Sequence, residues 1–347
     1  MTREPGSDPP ARASGSPVWP WFLVALATLE LGARLATRPE SLLALHVSGY
    51  STCYAHRKAL ARGLSGPPVT TLVVGDSTAE RGLDACALGA ATGGRGAGLS
   101  FPSGTVGEAA VLHELASPHL APDAHVVLAV NPLNIRTYSE WVTPTFSDLR
   151  RRTDVASALL GQASTLFRDR KVVLAVLESL VERERYAEEF RLQIGVTGEC
   201  GRETPPPRPD EVPDAAARER QVREYGTTWI SVFKEPVGSD QEAALAAALA
   251  PLRGRRTTIV LTPLRADFRD FLEREHPGTI AARRRIWAAA AHRAGATLLT
   301  CHDAIEDASV YVDPVHLDQN GRVRLSTCLG ARLAGAGGCC TPVMAVP

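Results

Sequence analysis

Two short segments of the chain carry residue types that together could perform nucleophilic chemistry. Ser77 stands in Gly75-Asp76-Ser77, and far downstream Asp313-Pro314-Val315-His316 offers a base and an acid. A serine hydroxyl is a weak nucleophile until a base removes its proton, and that base needs a carboxylate to fix its tautomer. A separation of three residues puts Asp313 and His316 on one side of a single turn. The carboxylate can then accept from the imidazole Nδ1 while Nε2 faces the serine. The expected triad is Ser77, His316 and Asp313. Taken singly, Gly75-Asp76-Ser77 is equally a turn with a helix N-cap, and Asp313-Pro314 equally a turn beside a surface histidine. Asp318 competes as the acid, but two residues past the histidine its side chain should point elsewhere, and it suits the N-cap of the last helix.

The elements that must position these residues are legible around them. Val69 to Val74 (VTTLVV) is a β-branched run ending at Gly75, the pattern of a buried parallel strand that delivers a functional loop at its C-terminal end. Ala124 to Val130 and Thr257 to Leu261 repeat it, each after a helical stretch, and Ala296 to Leu299 is a weaker fourth run. Strands alternating with helices predict an α/β fold, a doubly wound parallel sheet in three layers. A last helix is expected from about Arg322 to Leu333. Asp148 to Ile194 reads as mostly helical and Gly201 to Pro213 as too proline-rich for a helix, so about 148–255 reads as an insertion. Its helices cap the site or fill one face of the sheet, and apolar helical stripes favour the second.

With strand, serine and Asp/His pair in this order, the chain resembles the SGNH/GDSL hydrolase family, whose motif blocks open with G-D-S after the first strand and close with D-x-x-H before the last helix. The resemblance covers roughly Val69 to Leu333. It implies a serine esterase or an acyltransferase with the same triad and a covalent acyl-enzyme, needing no cofactor and no metal. It also implies an oxyanion hole built from the Ser77 N–H, a second-block glycine N–H and an asparagine side chain. Gly104, just before a Thr105 to Glu108 capping box that opens a helix, matches the second block, with Gly98 as its rival. Asn131, in Ala129-Val130-Asn131-Pro132, matches the third-block asparagine where the family has G-x-N-D, and Asn134 is a second candidate donor. Here the glycine and the aspartate of that block are replaced. A catalytically inactive glycan-binding or scaffold protein of the same fold is the alternative, because fold does not guarantee function.

Val18 to Ala36 is almost continuously apolar and, at about 1.5 Å per residue, just long enough as a helix for a roughly 30 Å hydrocarbon core. Glu30 and Arg34 lie four apart and can pair there, reducing a cost of roughly 2.5–3.5 kcal/mol each at mid-membrane. The segment reads as a membrane anchor, a cleaved signal peptide or a buried helix. The first two place the rest outside the cytosol. A span ending in L-E-L-G-A-R-L also resembles anchored family members associated with O-acylation of exported glycans. That implies an acyl ester or glycan substrate, an extracytoplasmic catalytic domain and, for transfer, a separate multispan acyl-donor protein. The expected layout is a disordered tail over 1–17, the anchor over 18–36, a connector over 37–68, the catalytic domain over 69–335 and a C-terminal tail over 336–347.

Composition removes other classes. The 347 residues carry 38 Lys plus Arg against 38 Asp plus Glu, so the basic field that gathers phosphates is missing and no nucleic-acid partner is expected. Seven cysteines (Cys53, Cys86, Cys200, Cys301, Cys328, Cys339, Cys340) show no C-x-x-C pair. A structural zinc site is not expected, and disulfides are open without a readable connectivity.

Overall fold

The computed structural model describes residues 18–38, 41, 50–137, 164, 170–183, 213–228, 238–302 and 304–343. The expected tail over 1–17 lies outside them, as do most of 148–194 and all but the last residue of Gly201 to Pro213.

The β-branched runs become strands of one six-stranded sheet: β1 (Val69–Gly75), β2 (Gly96–Gly98), β3 (Leu120–Val130), β4 (Arg256–Leu261), β5 (Thr297–Thr300) and β6 (Thr341–Pro342). Its order is β2-β1-β3-β4-β5-β6, parallel through β5, with β6 antiparallel at the edge. The helices of the described residues are α1 (Val18–Ala36), α2 (Tyr50–Arg62), α3 (Ser77–Gly82), α4 (Ala85–Ala91), α5 (Val106–Ala116), α6 (Arg170–Val181), α7 (Ala215–Thr228), α8 (Ser239–Leu249), α9 (Ala266–Glu275), α10 (Thr279–Ala294) and α11 (Gln319–Leu333).

Successive side chains of a strand point to opposite faces, so fully buried strands need cover on both. Leu72, Val74, Leu128 and Ile259 pack beneath Tyr54 of α2, Val111 of α5, Leu245 of α8 and Trp287 of α10. Val73, Val127, Val260 and Leu299 point the other way, onto Leu88 of α4 and Leu325 and Leu329 of α11. The result is a mixed α/β fold of three layers. The chain leaves β1 for β2 on one side and reaches β3 on the other. The crevice where the strand order reverses opens at the C-terminal ends of β1 and β3.

Two boundaries differ from expectation. Helix α2, read as connector, belongs to the core: Cys53, Tyr54 and Ala61 are buried in it. Its buried Arg57 donates to Glu80 Oε1 at 2.9 Å on α3 and to the Ser100 carbonyl at 2.7 Å. Burial pushes the Glu80 carboxyl up, and Arg57 opposes that rise. The expected C-terminal tail supplies β6 and two disulfides, Cys301–Cys340 and Cys328–Cys339, which tie it to β5 and α11. Within the insertion, α8 packs on α10 and α5 and fills a sheet face, whereas α7 packs on α9.

Val18–Ala36 is helical as expected, with Trp19, Trp21, Phe22, Leu23 and Leu26 exposed and Arg34 paired to Glu30 at 2.8 Å. Among the described residues, no helix is long and apolar enough to cross a membrane.

Candidate functional site

Backbone geometry explains the glycine before Asp76-Ser77. Gly75 ends β1 at φ 150°, a region that side chains rarely adopt, and a Cβ there would run into the Ala129 carbonyl of β3. The tight approach of the two strands turns the chain sharply into α3. Asp76 caps that helix, its Oδ1 accepting from the Thr78 N–H at 2.9 Å and the Thr78 hydroxyl at 2.6 Å. Its Oδ2 accepts from the Asn131 N–H at 2.9 Å, so one buried carboxylate clamps the turn after β1 to the turn after β3. Thr262, just past β4, adds a hydroxyl bond of 2.8 Å to Thr78. Ser77 is the first residue of α3, and its N–H therefore has no partner within the helix.

The Asp313 to His316 segment lies across the strand ends from this turn. His316 Nε2 is 2.8 Å from Ser77 Oγ, and His316 Nδ1 is 2.7 Å from Asp313 Oδ2. Asp313 Oδ1 accepts from the Val315 and His316 N–H groups, both at 2.9 Å, which fixes the carboxylate against its own turn. Burial works against the charge on Asp313. The hydrogen bond and charge of His316, with donation from the Val315 N–H and from Tyr225, more than offset it and hold this carboxyl below the usual range. The structure thus brings Ser77, His316 and Asp313 into one hydrogen-bonded chain. Asp318 points elsewhere, accepting from the Gly321 N–H as the N-cap of α11.

The residues read as oxyanion donors fare differently. Asn131 is buried; its Oδ1 accepts from the Leu133 N–H at 2.9 Å, which orients the amide and leaves Nδ2 buried without a hydrogen-bond partner. A buried donor left unpaired is costly unless a ligand takes it up, as an oxyanion would. Pro132 does not disturb this arrangement, because the bond comes from the residue after it. Gly104 lies beside the same turn, where a Cβ would come within 2.5 Å of the Gly75 carbonyl, but its N–H donates to the Phe101 carbonyl at 3.1 Å. That N–H is committed here. Asn134 Nδ2 turns to Asp76 and the Gly104 carbonyl, each at 3.4 Å. The rival Gly98 ends the edge strand β2. Asn131→Ala is expected to lower kcat by about 10²- to 10³-fold with little change in KM, the signature of a donor used only in the transition state. Steady-state kinetics on an activated acetyl ester checks this.

Sequence reading missed the residues that hold the acid and base in place. Tyr225 on α7 donates its hydroxyl to Asp313 Oδ2 at 2.8 Å, so the carboxylate oxygen facing His316 is itself held from behind. Gln221, one turn earlier, donates to the Val312 carbonyl at 3.0 Å, and the buried Arg265 donates its backbone N–H to the Pro314 carbonyl at 3.0 Å and its guanidinium to Gln221 at 2.9 Å. Helix α7 therefore braces the acid–base turn instead of only filling a face. No local pattern marks these partners, which lie far from Asp313 in sequence. Tyr225→Phe keeps the ring against Phe268 and removes one hydrogen bond. The expected loss is about 10- to 150-fold in kcat, matching a bond to a charged group of roughly 1.5–3 kcal/mol, with the folded state kept. Turnover measured beside a thermal melt separates the two.

The four cysteines near the end of the chain form the two disulfides named above, and the buried Cys53 has its pKa pushed up to about 12 by burial and by Glu80. No family model matches the chain, and no curated protein matches it.

Proposed function

We propose that the chain is a serine esterase or O-acyltransferase of the SGNH/GDSL type, acting on acyl, chiefly acetyl, esters of an extracytoplasmic glycan. The observation that carries this reading is the unbroken relay from Ser77 Oγ through His316 to Asp313, at 2.8 and 2.7 Å. His316 takes the Ser77 proton at Nε2 as Oγ attacks the ester carbonyl, and Asp313 stabilises the resulting imidazolium at Nδ1. The Ser77 N–H and the Asn131 amide receive the developing oxyanion, and Gly104 joins them once its bond to Phe101 is released. His316 then protonates the departing alkoxide, leaving an acyl group on Ser77. Water completes an esterase cycle, whereas a sugar hydroxyl completes a transfer.

The strand order and the helices on both faces support an SGNH-type framework. Disulfides persist in oxidising compartments, so Cys301–Cys340 and Cys328–Cys339 support an extracytoplasmic domain. Anchoring to the membrane rests on the apolar run of Val18 to Ala36 in the sequence alone. Transfer would require a separate multispan protein to bring the acyl donor across. The glycan itself rests on the resemblance of the membrane-proximal segment to anchored family members.

A second reading, a glycan-binding protein of this fold without turnover, is favoured by the committed Gly104 N–H. The two readings separate on a chromogenic acetyl ester offered with and without an oligosaccharide acceptor. Release of acetate marks the esterase, acetylated oligosaccharide marks the transferase, and neither product from folded protein removes the catalytic reading.

A further inference from the structure

One buried side chain of helix α2 reaches two parts of the site. The Arg57 guanidinium is forked between them, Nη2 donating to Glu80 Oε1 at 2.9 Å and Nε to the Ser100 carbonyl at 2.7 Å. Glu80 lies three residues after Ser77 on α3, and residues three apart are neighbours on a helix surface. Ser100 lies in the loop from β2 to α5 that carries Gly104. Helix α2 meets that loop a second time. Tyr54, three residues before Arg57, stacks on Phe101 with ring centroids 5.3 Å apart, and both residues are buried. Phe101 in turn donates its N–H to the Gly75 carbonyl at 3.2 Å, beside the Asp76-Ser77 turn, and its carbonyl accepts from the Gly104 N–H at 3.1 Å.

Stability alone does not account for this arrangement. Burying two charges carries a desolvation cost that their attraction barely offsets, so a buried ion pair is weak evidence for stabilisation. Arg57 also donates to a neutral carbonyl of the Gly104 loop, which pairing with Glu80 does not require. A planar guanidinium fixes the directions of both bonds at once, whereas an ammonium is a point charge without a fork. The fork therefore sets the spacing between α3, which begins at Ser77, and the loop that carries Gly104. An oxyanion needs the two in register, because one bears the Ser77 N–H and the other the Gly104 N–H.

We propose that Arg57 is a positioning residue for the Ser77 reaction, holding the Gly104 loop against the start of α3 so that donors from both meet one oxyanion. This rests on the reading of Ser77 as the nucleophile of an esterase or acyltransferase. The test measures turnover of a chromogenic acetyl ester beside a thermal melt, both on the full chain. Arg57→Lys keeps a cation beside Glu80 and removes the fork. Its kcat is expected to fall about 10- to 100-fold, as misplacement remote from the chemistry does, with KM within about twofold and the melt retained. Arg57→Met combined with Glu80→Met removes both charges together and leaves no buried charge unpaired. This double variant is expected to melt as the wild type does and to keep the same deficit in kcat. Wild-type kcat in Arg57→Lys, or recovery of kcat together with the melt in the double variant, overturns the proposal and leaves the Ser77 reading standing. A loss of kcat that only follows a lowered melt in both variants assigns Arg57 to stability and overturns the proposal as well. Folded wild type without turnover overturns the Ser77 reading and the proposal together.

Discussion

His316→Ala is expected to lower kcat/KM on an acetyl ester by about 10⁴- to 10⁶-fold while leaving the fold in place. Among the described residues, the imidazole is the group that reaches both the Ser77 hydroxyl and the Asp313 carboxylate, at 2.8 and 2.7 Å. Its removal leaves a neutral serine with no base. Its side chain is only 17% exposed, so unfolding by denaturant, measured beside the assay, separates the lost chemistry from the lost packing. Residual turnover would come from the Ser77 N–H and the Asn131 amide, which act without the base. Combining the variant with Ser77→Ala should cost almost nothing further, because the two groups act as one unit. Strongly additive losses would mean that they work in separate steps.

Asp313→Asn is the second large effect, about 10⁴-fold in kcat, and its cause is a tautomer. The asparagine carbonyl can keep the N–H bonds from Val315 and His316 now made to Oδ1 at 2.9 Å. Its NH₂ must then face His316 Nδ1, which has to accept. The ring proton moves to Nε2, and that nitrogen can no longer take the proton of Ser77. The same substitution has a pH signature. The folded carboxyl lies below its unfolded value of about 3.9. The unfolded chain therefore binds more protons on the acid side, and the stability from this group is complete above about pH 3.9. It is lost as the pH falls through the lower folded value. Asp313→Asn should flatten the acid limb of stability against pH, read by denaturant midpoints across that range.

The parts of the site that sequence made visible are those written in adjacent residues. Gly75-Asp76-Ser77 and Asp313 to His316 are legible because strand, turn and acid–base spacing are local, and Asp318 is legible as an N-cap for the same reason. Strands β1, β3, β4 and β5 are visible because parallel strands buried on both faces must be apolar and largely β-branched. Strand β2 is Gly-Ala-Gly, with no β-propensity of its own. It is a strand because Gly96 allows a backbone approach to Ala85 that any Cβ would block. Strand β6 owes its place to the Cys301–Cys340 link, and its two residues carry no periodic signal.

What stayed hidden is tertiary. Arg57 and Glu80 look like surface charges in sequence and become a buried pair only when α2 packs over the sheet. Tyr225 meets Asp313 through the packing of α7 on α9. Asp76 could be read as a cap, but its second oxygen binds the Asn131 N–H across the switch point, which spacing alone does not reveal. The turn after β3 is held in a similar way, since the Leu133 N–H orients the Asn131 amide.

The central claim is that Ser77 is a nucleophile activated by His316. The most direct measurement is mass-spectrometric mapping of a fluorophosphonate adduct on the full chain, beside Ser77→Ala and His316→Ala. The account predicts one adduct, on Ser77, absent from Ser77→Ala and slowed at least about 10³-fold in His316→Ala. Folded wild type that stays unlabelled, or an adduct that persists in Ser77→Ala, would contradict it.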